Sequence, residues 1–217
     1  MTTLADELVL ICYSDEGRPS VTHPILGYGV TGALLTELVL AGRVDLVDKK
    51  VVVTDPTPTG EPAVDALLAR LAGADKPRKP QQWMHKLYKE STTQVLDSLV
   101  ERGVVRREEA KVLLVFPTTR YPTPDGRQPA LEADARARLR AALEGDGPVD
   151  ERTAALCALV GAARQERKVL PDVPKDRLKA RLKEISQGAW ASDAVRRAID
   201  EIQVALVAGA AVAAAGA

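Results

Sequence analysis

The sequence predicts a mostly α-helical fold, one compact domain with two short β-hairpins, and three observations support it. The chain has 217 residues, close to one domain at about 150 residues per domain. Aromatic residues are only 3%, so the core must consist of Leu, Val, Ile and Ala, which is typical of packed helices. A helix, a glycine and a hairpin follow one another twice in the N-terminal half, in the outline of a winged-helix module. We therefore expect a single domain over residues 1–217, with a disordered Ala-rich tail from about residue 212.

The first unit begins with a short apolar helix over residues 4–11 and a turn over 14–20. Apolar residues then recur at helical spacing and predict an amphipathic helix over 26–41, which ends at Gly42. Alternating valines and leucines over 43–55 predict a hairpin, because a charged Asp-Lys-Lys turn separates the two apolar runs.

The second unit repeats this order. Two helices are predicted over residues 61–71 and 81–102, joined by a linker over 75–80 that contains two prolines. Gly103 ends the second helix, and another hairpin follows over residues 104–119.

The second hairpin also predicts self-association. We assign its turn to residues 107–110 and its second strand to five consecutive apolar residues, Val112, Leu113, Leu114, Val115 and Phe116. Both faces of such a strand are hydrophobic, whereas a two-stranded hairpin buries only one face against its own domain. An apolar face without a partner marks an interface, so we expect homo-oligomers through this hairpin.

The remainder is predicted to be helical, over residues 131–143, 150–163, 174–185 and 192–213. Asp150 and Ser192 are start signals because their side chains cap helices. Residues 202–217 carry no charge, which favours a buried last helix, with a peripheral membrane contact as the alternative.

Composition limits the function and the compartment. Thirty basic and thirty acidic side chains cancel, which argues against a protein that coats nucleic acid through bulk charge. Cys12 and Cys157 lie in apolar stretches outside any metal spacing and are interpreted as buried thiols in a reducing cytosol. Asp6 and Glu7 interrupt the N-terminal apolar run, so no signal peptide is expected and the protein is predicted to be cytoplasmic.

Residues that would indicate an enzyme are few, and we predict no catalytic residues, metal or cofactor. His23 and His85 occur in no metal-ligand spacing. Gly27, Gly29 and Gly32 resemble a dinucleotide fingerprint only weakly, because no apolar strand precedes them. Their better interpretation is close packing of the helix start against another backbone or a ligand.

A basic segment over residues 76–89 is the one local charge anomaly. It contains Lys76, Arg78, Lys79, Lys86 and Lys89 without any acid, together with Trp83, His85 and Tyr88. Basic and amphipathic aromatic side chains together suit an anionic membrane surface. The alternative is a solvated linker with Trp83 capping the core.

The winged-helix outline raises DNA as another ligand. A recognition helix exposes Arg, Lys, Asn or Gln, yet the helix over 26–41 offers only Thr31, Thr36 and Glu37. A nucleic-acid partner is therefore not expected.

Four segments carry a family resemblance. TLADELVLICYSDEGRPS, GALLTELVLAGRVDL, PTGEPAVDALL and LDSLVERGVVRREEAKVLLVFPTTRYP occur at residues 3–20, 32–46, 58–68 and 96–122. In order and spacing they resemble the Golgi phosphoprotein 3 family in its bacterial, actinobacterial form. The resemblance covers about residues 3–125. It implies a helical single domain without enzymatic activity, and a hairpin that self-associates in eukaryotic members.

The resemblance also implies a lipid-headgroup site. Eukaryotic members recognise phosphatidylinositol 4-phosphate with a tryptophan and three arginines, and the corresponding positions here are Thr22, Thr31, Lys89 and Thr92. Only Lys89 keeps a positive charge. Losing two guanidinium–phosphate contacts at ~1.5–3 kcal/mol each would weaken a headgroup complex by about 3–6 kcal/mol.

The leading hypothesis is a non-enzymatic protein that binds anionic lipid and associates peripherally with the inner face of the membrane. Lys89 and neighbouring Lys86 would supply the charge at the headgroup, and Lys76, Arg78, Lys79 and Trp83 would face the membrane. A soluble scaffold or adaptor that has lost lipid recognition is the alternative, and a winged-helix DNA binder is a third.

Overall fold

The structure, a computed structural model, describes residues 2–112, 116–188 and 192–215. The described residues form nine helices and two antiparallel strand pairs, which confirms the mostly helical class with two hairpins. In chain order the elements are α1 (Leu4–Cys12), α2 (His23–Leu40), β1 (Val44–Val47), β2 (Lys50–Val53), α3 (Pro62–Ala72), α4 (Pro80–Glu101), β3 (Glu108–Val112), β4 (Phe116–Arg120), α5 (Ala130–Glu144), α6 (Glu151–Ala162), α7 (Glu166–Val169), α8 (Lys175–Gln187) and α9 (Asp193–Ala215).

The centre of the fold is α2, which packs against α1, α3, α4, α6 and α9. It is buried without a break from Leu26 to Thr36, because its sequence is apolar or small on every side. The hydroxyls of Thr31 and Thr36 donate back to the Gly27 and Gly32 carbonyls, both at 2.9 Å. Such a helix has no free polar face to present to a DNA groove.

Both helix–glycine–hairpin units are present, and each helix ends in the same way. Gly42 and Gly103 have φ of 67° and 68°, a left-handed conformation that glycine adopts without strain. The residue after each glycine donates its N–H to the carbonyl five residues earlier, at 2.9 Å in both cases. This is the Schellman arrangement, and it turns the chain directly into the hairpin.

The first hairpin lies where it is predicted, but its turn is the two residues Asp48 and Lys49, because Lys50 already belongs to β2 and pairs with Val47. Both turn residues have positive φ, 49° and 61°, as a type I′ turn requires. The Val51 N–H donates to the Arg78 carbonyl at 2.9 Å, so this hairpin also fastens the linker before α4.

The strands of the second hairpin differ from those predicted. Val112 ends β3 and Phe116 begins β4, and these two residues pair opposite each other. The assignment of residues 112–116 to one strand and of 107–110 to the turn is therefore wrong. Apolar alternation identifies strands only where one sheet face is buried, whereas Glu108 and Glu109 of β3 are exposed. Residues 113–115 lie outside the described residues.

The helices of the C-terminal half follow their predicted positions. Asp150 Oδ1 accepts the Thr153 N–H at 3.0 Å and Ser192 Oγ accepts the Val195 N–H at 3.3 Å, as expected of caps. One element, α7, was not predicted, because a single turn is too short to show periodicity.

The last helix, α9, packs against α2, α4 and α6, with Ile202 and Leu206 fully buried. It continues to Ala215, beyond the predicted start of the tail at about residue 212, and residues 216–217 are not described. Over the described ranges, no helix is both long and apolar enough to cross a membrane.

Candidate functional site

A cleft of about 1180 Å³ opens between α4, the N-terminal end of α2 and the β3–β4 hairpin. We call it the α4–hairpin cleft. Lys89 and Thr92 of α4 lie on one side, Glu109 and Thr119 of the hairpin on the other, and His23 at the start of α2. Three segments that are distant in sequence therefore meet at one concave surface.

The position of α4 in this cleft depends on a close approach to α2. A Cβ at Gly27 would come within 2.8 Å of the Tyr88 carbonyl oxygen, so only glycine fits there. The Tyr28 and Tyr88 rings pack beside this contact with centroids 5.4 Å apart. The predicted role of the glycine-rich helix start, close packing against another backbone, is confirmed at Gly27.

The two side chains that α4 presents to the cleft differ in their exposure and hydrogen bonding. Lys89 is exposed, and its Nζ lies 5.7 Å from the centroid of the Tyr88 ring. The Thr92 hydroxyl donates to the Tyr88 carbonyl at 2.7 Å, which leaves its oxygen available as an acceptor. Lys89 is thus the side chain on α4 that can reach an anionic group.

The charges of the cleft nearly cancel. Besides His23, the described lining residues include one basic side chain, Lys89, and one acidic side chain, Glu109. Burial raises the pKa of Tyr13 to about 12, with smaller contributions from Tyr121 and Cys12, so its phenol stays neutral. The cleft is therefore polar but has little net charge.

The four positions that the resemblance assigns to a headgroup are only partly brought together. Lys89 and Thr92 line the cleft. Thr22 is the exposed N-cap of α2, directly before the cleft residue His23, and its side chain makes no capping hydrogen bond. Thr31 is fully buried, so placing it at a headgroup is wrong.

The predicted basic and aromatic patch lies elsewhere. Lys86, Arg78 and Trp83 line a separate cleft of about 320 Å³ between α3 and α4, so Lys86 and Lys89 do not share a site. Lys76 and Lys79 are exposed on the linker before α4. Arg78 and Lys86 lie over the Trp83 ring, each 5.8 Å from its centroid.

Trp83 itself is only 2% exposed, so its assignment to a membrane-facing surface is wrong. The alternative that the sequence left open, an indole that caps the core, fits this burial. Aliphatic stems and cation–π contacts hold the neighbouring basic groups over the ring without bringing the ring to the surface.

The residues of the cleft that sequence analysis missed come mainly from the hairpin and its base. Glu109, Thr118 and Thr119 reach the cleft because β3 and β4 fold back toward α4. No sequence signal could identify them, since the strands themselves were placed differently. Tyr88 was named as part of the basic segment, and its adjacency to Lys89 was the available signal.

Comparison with known proteins identifies the family of the chain. The family model described as Golgi phosphoprotein 3 (GPP34) matches residues 4–202. The chain belongs to the Golgi phosphoprotein 3 family. The match covers both helix–glycine–hairpin units and all helices up to the middle of α9, so it extends well beyond the four segments that carry the resemblance.

One relative within this family is vacuolar protein sorting-associated protein 74 of Eremothecium gossypii. It is 28% identical to this chain in an alignment 148 residues long, which covers 57% of this chain. The chain spans 44% of the length of that relative, less than half.

Proposed function

We propose that this member of the Golgi phosphoprotein 3 family is a non-enzymatic protein that binds anionic lipid headgroups in the α4–hairpin cleft. It would associate peripherally with the inner face of the membrane from the cytoplasm. One observation carries the proposal: Lys89 and Thr92, which the family resemblance assigns to a headgroup, line the same cleft as His23, the neighbour of Thr22. A phosphate there would meet the Lys89 ammonium and the imidazole of His23.

The charge of the cleft limits the affinity to be expected. A charge-assisted phosphate contact contributes about 1.5–3 kcal/mol, and Lys89 supplies one such contact opposite a carboxylate, Glu109. Single-site binding would therefore be weak. Phosphatidylinositol 4-phosphate and other anionic phospholipids share the chemistry that this cleft could recognise.

Vesicle flotation with two single charge reversals tests the proposal, because the structure separates the two lysines. Lys89→Glu should reduce binding to vesicles containing phosphatidylinositol 4-phosphate or phosphatidylserine about tenfold or more. Lys86→Glu is the matched control, because it changes the net charge by the same amount but lies in the other cleft. It should bind like the wild type. Equal loss in both variants, or no anion-dependent binding at all, contradicts the proposal.

We also propose that the protein forms homo-oligomers through the second hairpin. The Arg106 N–H donates to the Pro122 carbonyl at 2.8 Å and closes the base of the hairpin, and the Arg107–Asp97 ion pair joins this base to α4. The apolar run 112–116 spans the end of β3, the connection and the start of β4. An apolar sequence between the two strands of an attached hairpin supports contact between copies, and two copies would add avidity to weak lipid sites.

A variant within this apolar run tests self-association without changing the residues that line the cleft. Leu113→Ser combined with Leu114→Ser should lower the mass in light scattering to that of a monomer. Val47→Ser is the matched control, since Val47 is 52% exposed at the end of β1 in the other hairpin. A wild-type protein that is monomeric at tens of micromolar would refute this part of the proposal.

A soluble scaffold or adaptor is the second candidate function. The Glu109 carboxylate in the same cleft as Lys89 favours it, because a carboxylate lowers the positive potential there. The complete burial of Thr31 also favours it, because one of the four headgroup positions then has no exposed side chain. The flotation experiment separates the two candidates: an adaptor would show no dependence on anionic lipid in the wild type.

A further inference from the structure

A second cleft, of about 560 Å³, lies between α6, α8 and α9. It shares no lining residue with the α4–hairpin cleft, and no part of the proposed function uses it. Its volume falls in the range of pockets that hold small ligands. We call it the α6–α8–α9 cleft.

The rim of this cleft is basic. Lys175, Lys179 and Lys183 follow one another at four-residue spacing on α8, so they lie on one face and span about 12 Å. Arg164, after α6, adds a fourth cation. All four are exposed, and within the described part of the chain none forms an ion pair.

One acid, Glu166, lies among these cations. It is 8% exposed, and its Oε2 has no hydrogen-bond partner among the described residues. The four cations less this one carboxylate give the lining a net charge of +3. A strongly positive lining with unpaired lysines favours an anionic ligand.

The wall between the cations is largely apolar, with Ser186 and Gln203 as its uncharged polar members. Ala154 and Ala158 of α6, Leu182 of α8 and Val207 of α9 contribute it. Val207 is 51% exposed, and Val204, one turn earlier on α9, is 65% exposed, so the apolar surface continues beyond the cleft. An inorganic anion would make no use of this wall, whereas a hydrocarbon chain would gain about 25 cal/mol per Å² of apolar area covered.

We propose that the α6–α8–α9 cleft binds a single-chain amphiphile with an anionic head, a carboxylate or a phosphate. The hydrocarbon chain of the ligand lies on the apolar wall toward Val207, and its anionic head pairs with Lys179 and Lys183. A carboxylate and a phosphate can both pair with the basic rim, and the experiment below distinguishes the two head groups.

Isothermal titration with dodecanoate and with dodecyl phosphate, each below its micellar concentration, tests the assignment. At least one should bind, and hexanoate and inorganic phosphate should bind at least about tenfold more weakly because they lack the chain. The double variant Lys179→Glu, Lys183→Glu should lose about tenfold or more in affinity. Lys76→Glu with Lys79→Glu, two exposed lysines away from the cleft, is the matched control.

Two further variants make the assignment specific. Glu166→Gln removes the one negative charge of the lining and should strengthen binding several-fold. Ala158→Leu fills space beside the apolar wall and should weaken binding of the amphiphile's hydrocarbon chain. Circular dichroism should show an unchanged fold for this variant. Lys89→Glu should leave dodecanoate binding unchanged, which separates this site from the lipid proposal.

The proposal is overturned if neither amphiphile binds the wild type, or if the Lys179→Glu, Lys183→Glu variant binds as tightly as the wild type. Weaker binding by Glu166→Gln would also overturn it, because the carboxylate would then be part of the binding group.

Discussion

Gly27 of α2 and Tyr88 of α4 are in contact at the backbone, since a Cβ at residue 27 would come within 2.8 Å of the Tyr88 carbonyl oxygen and 2.9 Å of its Cβ. This contact fixes the position of α4 along the axis of α2. Tyr88 is adjacent to Lys89 and one turn before Thr92, whose hydroxyl bonds the same carbonyl. The packing of one glycine therefore sets the position of the side chains that line the α4–hairpin cleft.

Gly27→Ala should destabilise the protein by about 1–3 kcal/mol, because the added methyl group meets backbone and cannot be accommodated by a rotamer change. Gly147→Ala is the matched control, since a Cβ there has no atom within 4 Å and its φ is not positive. Urea unfolding measures both. Equal stability of Gly27→Ala and the wild type would show that α4 can move away from α2 at little cost.

Arg152 should matter for stability more than an ordinary surface arginine. Its guanidinium bonds the Glu37 carboxylate at 2.9 Å and the Thr2 carbonyl at 2.7 Å, and lies 3.8 Å from Glu7. Arg152→Ala leaves the half-buried Glu37 carboxylate and Thr2 carbonyl without this donor and should cost about 1.5–3 kcal/mol. Arg140→Ala breaks the exposed pair with Glu144 and should cost less than about 0.5 kcal/mol, measured by the same unfolding curves.

Glu7 should make stability depend on pH. Burial raises the pKa of its carboxyl above the ordinary 4.5, although Arg138 and Arg152 act in the opposite direction. The folded state then binds this proton more tightly than the unfolded chain does. Its contribution to stability is full below pH 4.5 and is lost as the pH rises through the raised pKa.

Glu7→Gln removes this titration while its amide oxygen can still accept the hydrogen bond from Arg138. The variant should gain stability relative to the wild type as the pH rises above 4.5, as followed by urea midpoints at several pH values. All other titrating groups are common to both proteins, so parallel pH curves would contradict the assignment.

Cys12 and Cys157 should be unreactive in the folded protein. Both are 1% exposed, and burial raises the pKa of each thiol to about 12, which leaves almost no thiolate at neutral pH. Ellman's reagent should label neither cysteine in buffer and both in urea. Rapid labelling of one thiol without denaturant would show that its helix opens locally.

Sequence periodicity predicted most of the fold because the helices are long and each buries a recognisable apolar face. The helix ends at Gly42 and Gly103 were predictable for a local reason, since a left-handed residue after a helix is nearly always glycine. The strands of the second hairpin were not predictable, because they are partly exposed and the apolar run that suggested a strand spans the connection between strands. Local preference does not fix register where no face is buried.

What the sequence by itself determined is the helical class, the two helix–glycine–hairpin units, the buried thiols and the family. Only the tertiary structure decided which charges act together. Lys86 and Lys89 are three residues apart and are neighbours on the surface of α4, yet they line different clefts. The reason is that α3 borders the cleft beside Lys86, whereas the β3–β4 hairpin borders the cleft beside Lys89. Helix packing also decides that Trp83 and Thr31 are buried and that Arg164 lies in one cleft with the lysines of α8. The local sequence does not specify how distant helices pack, so these features could not be predicted from it.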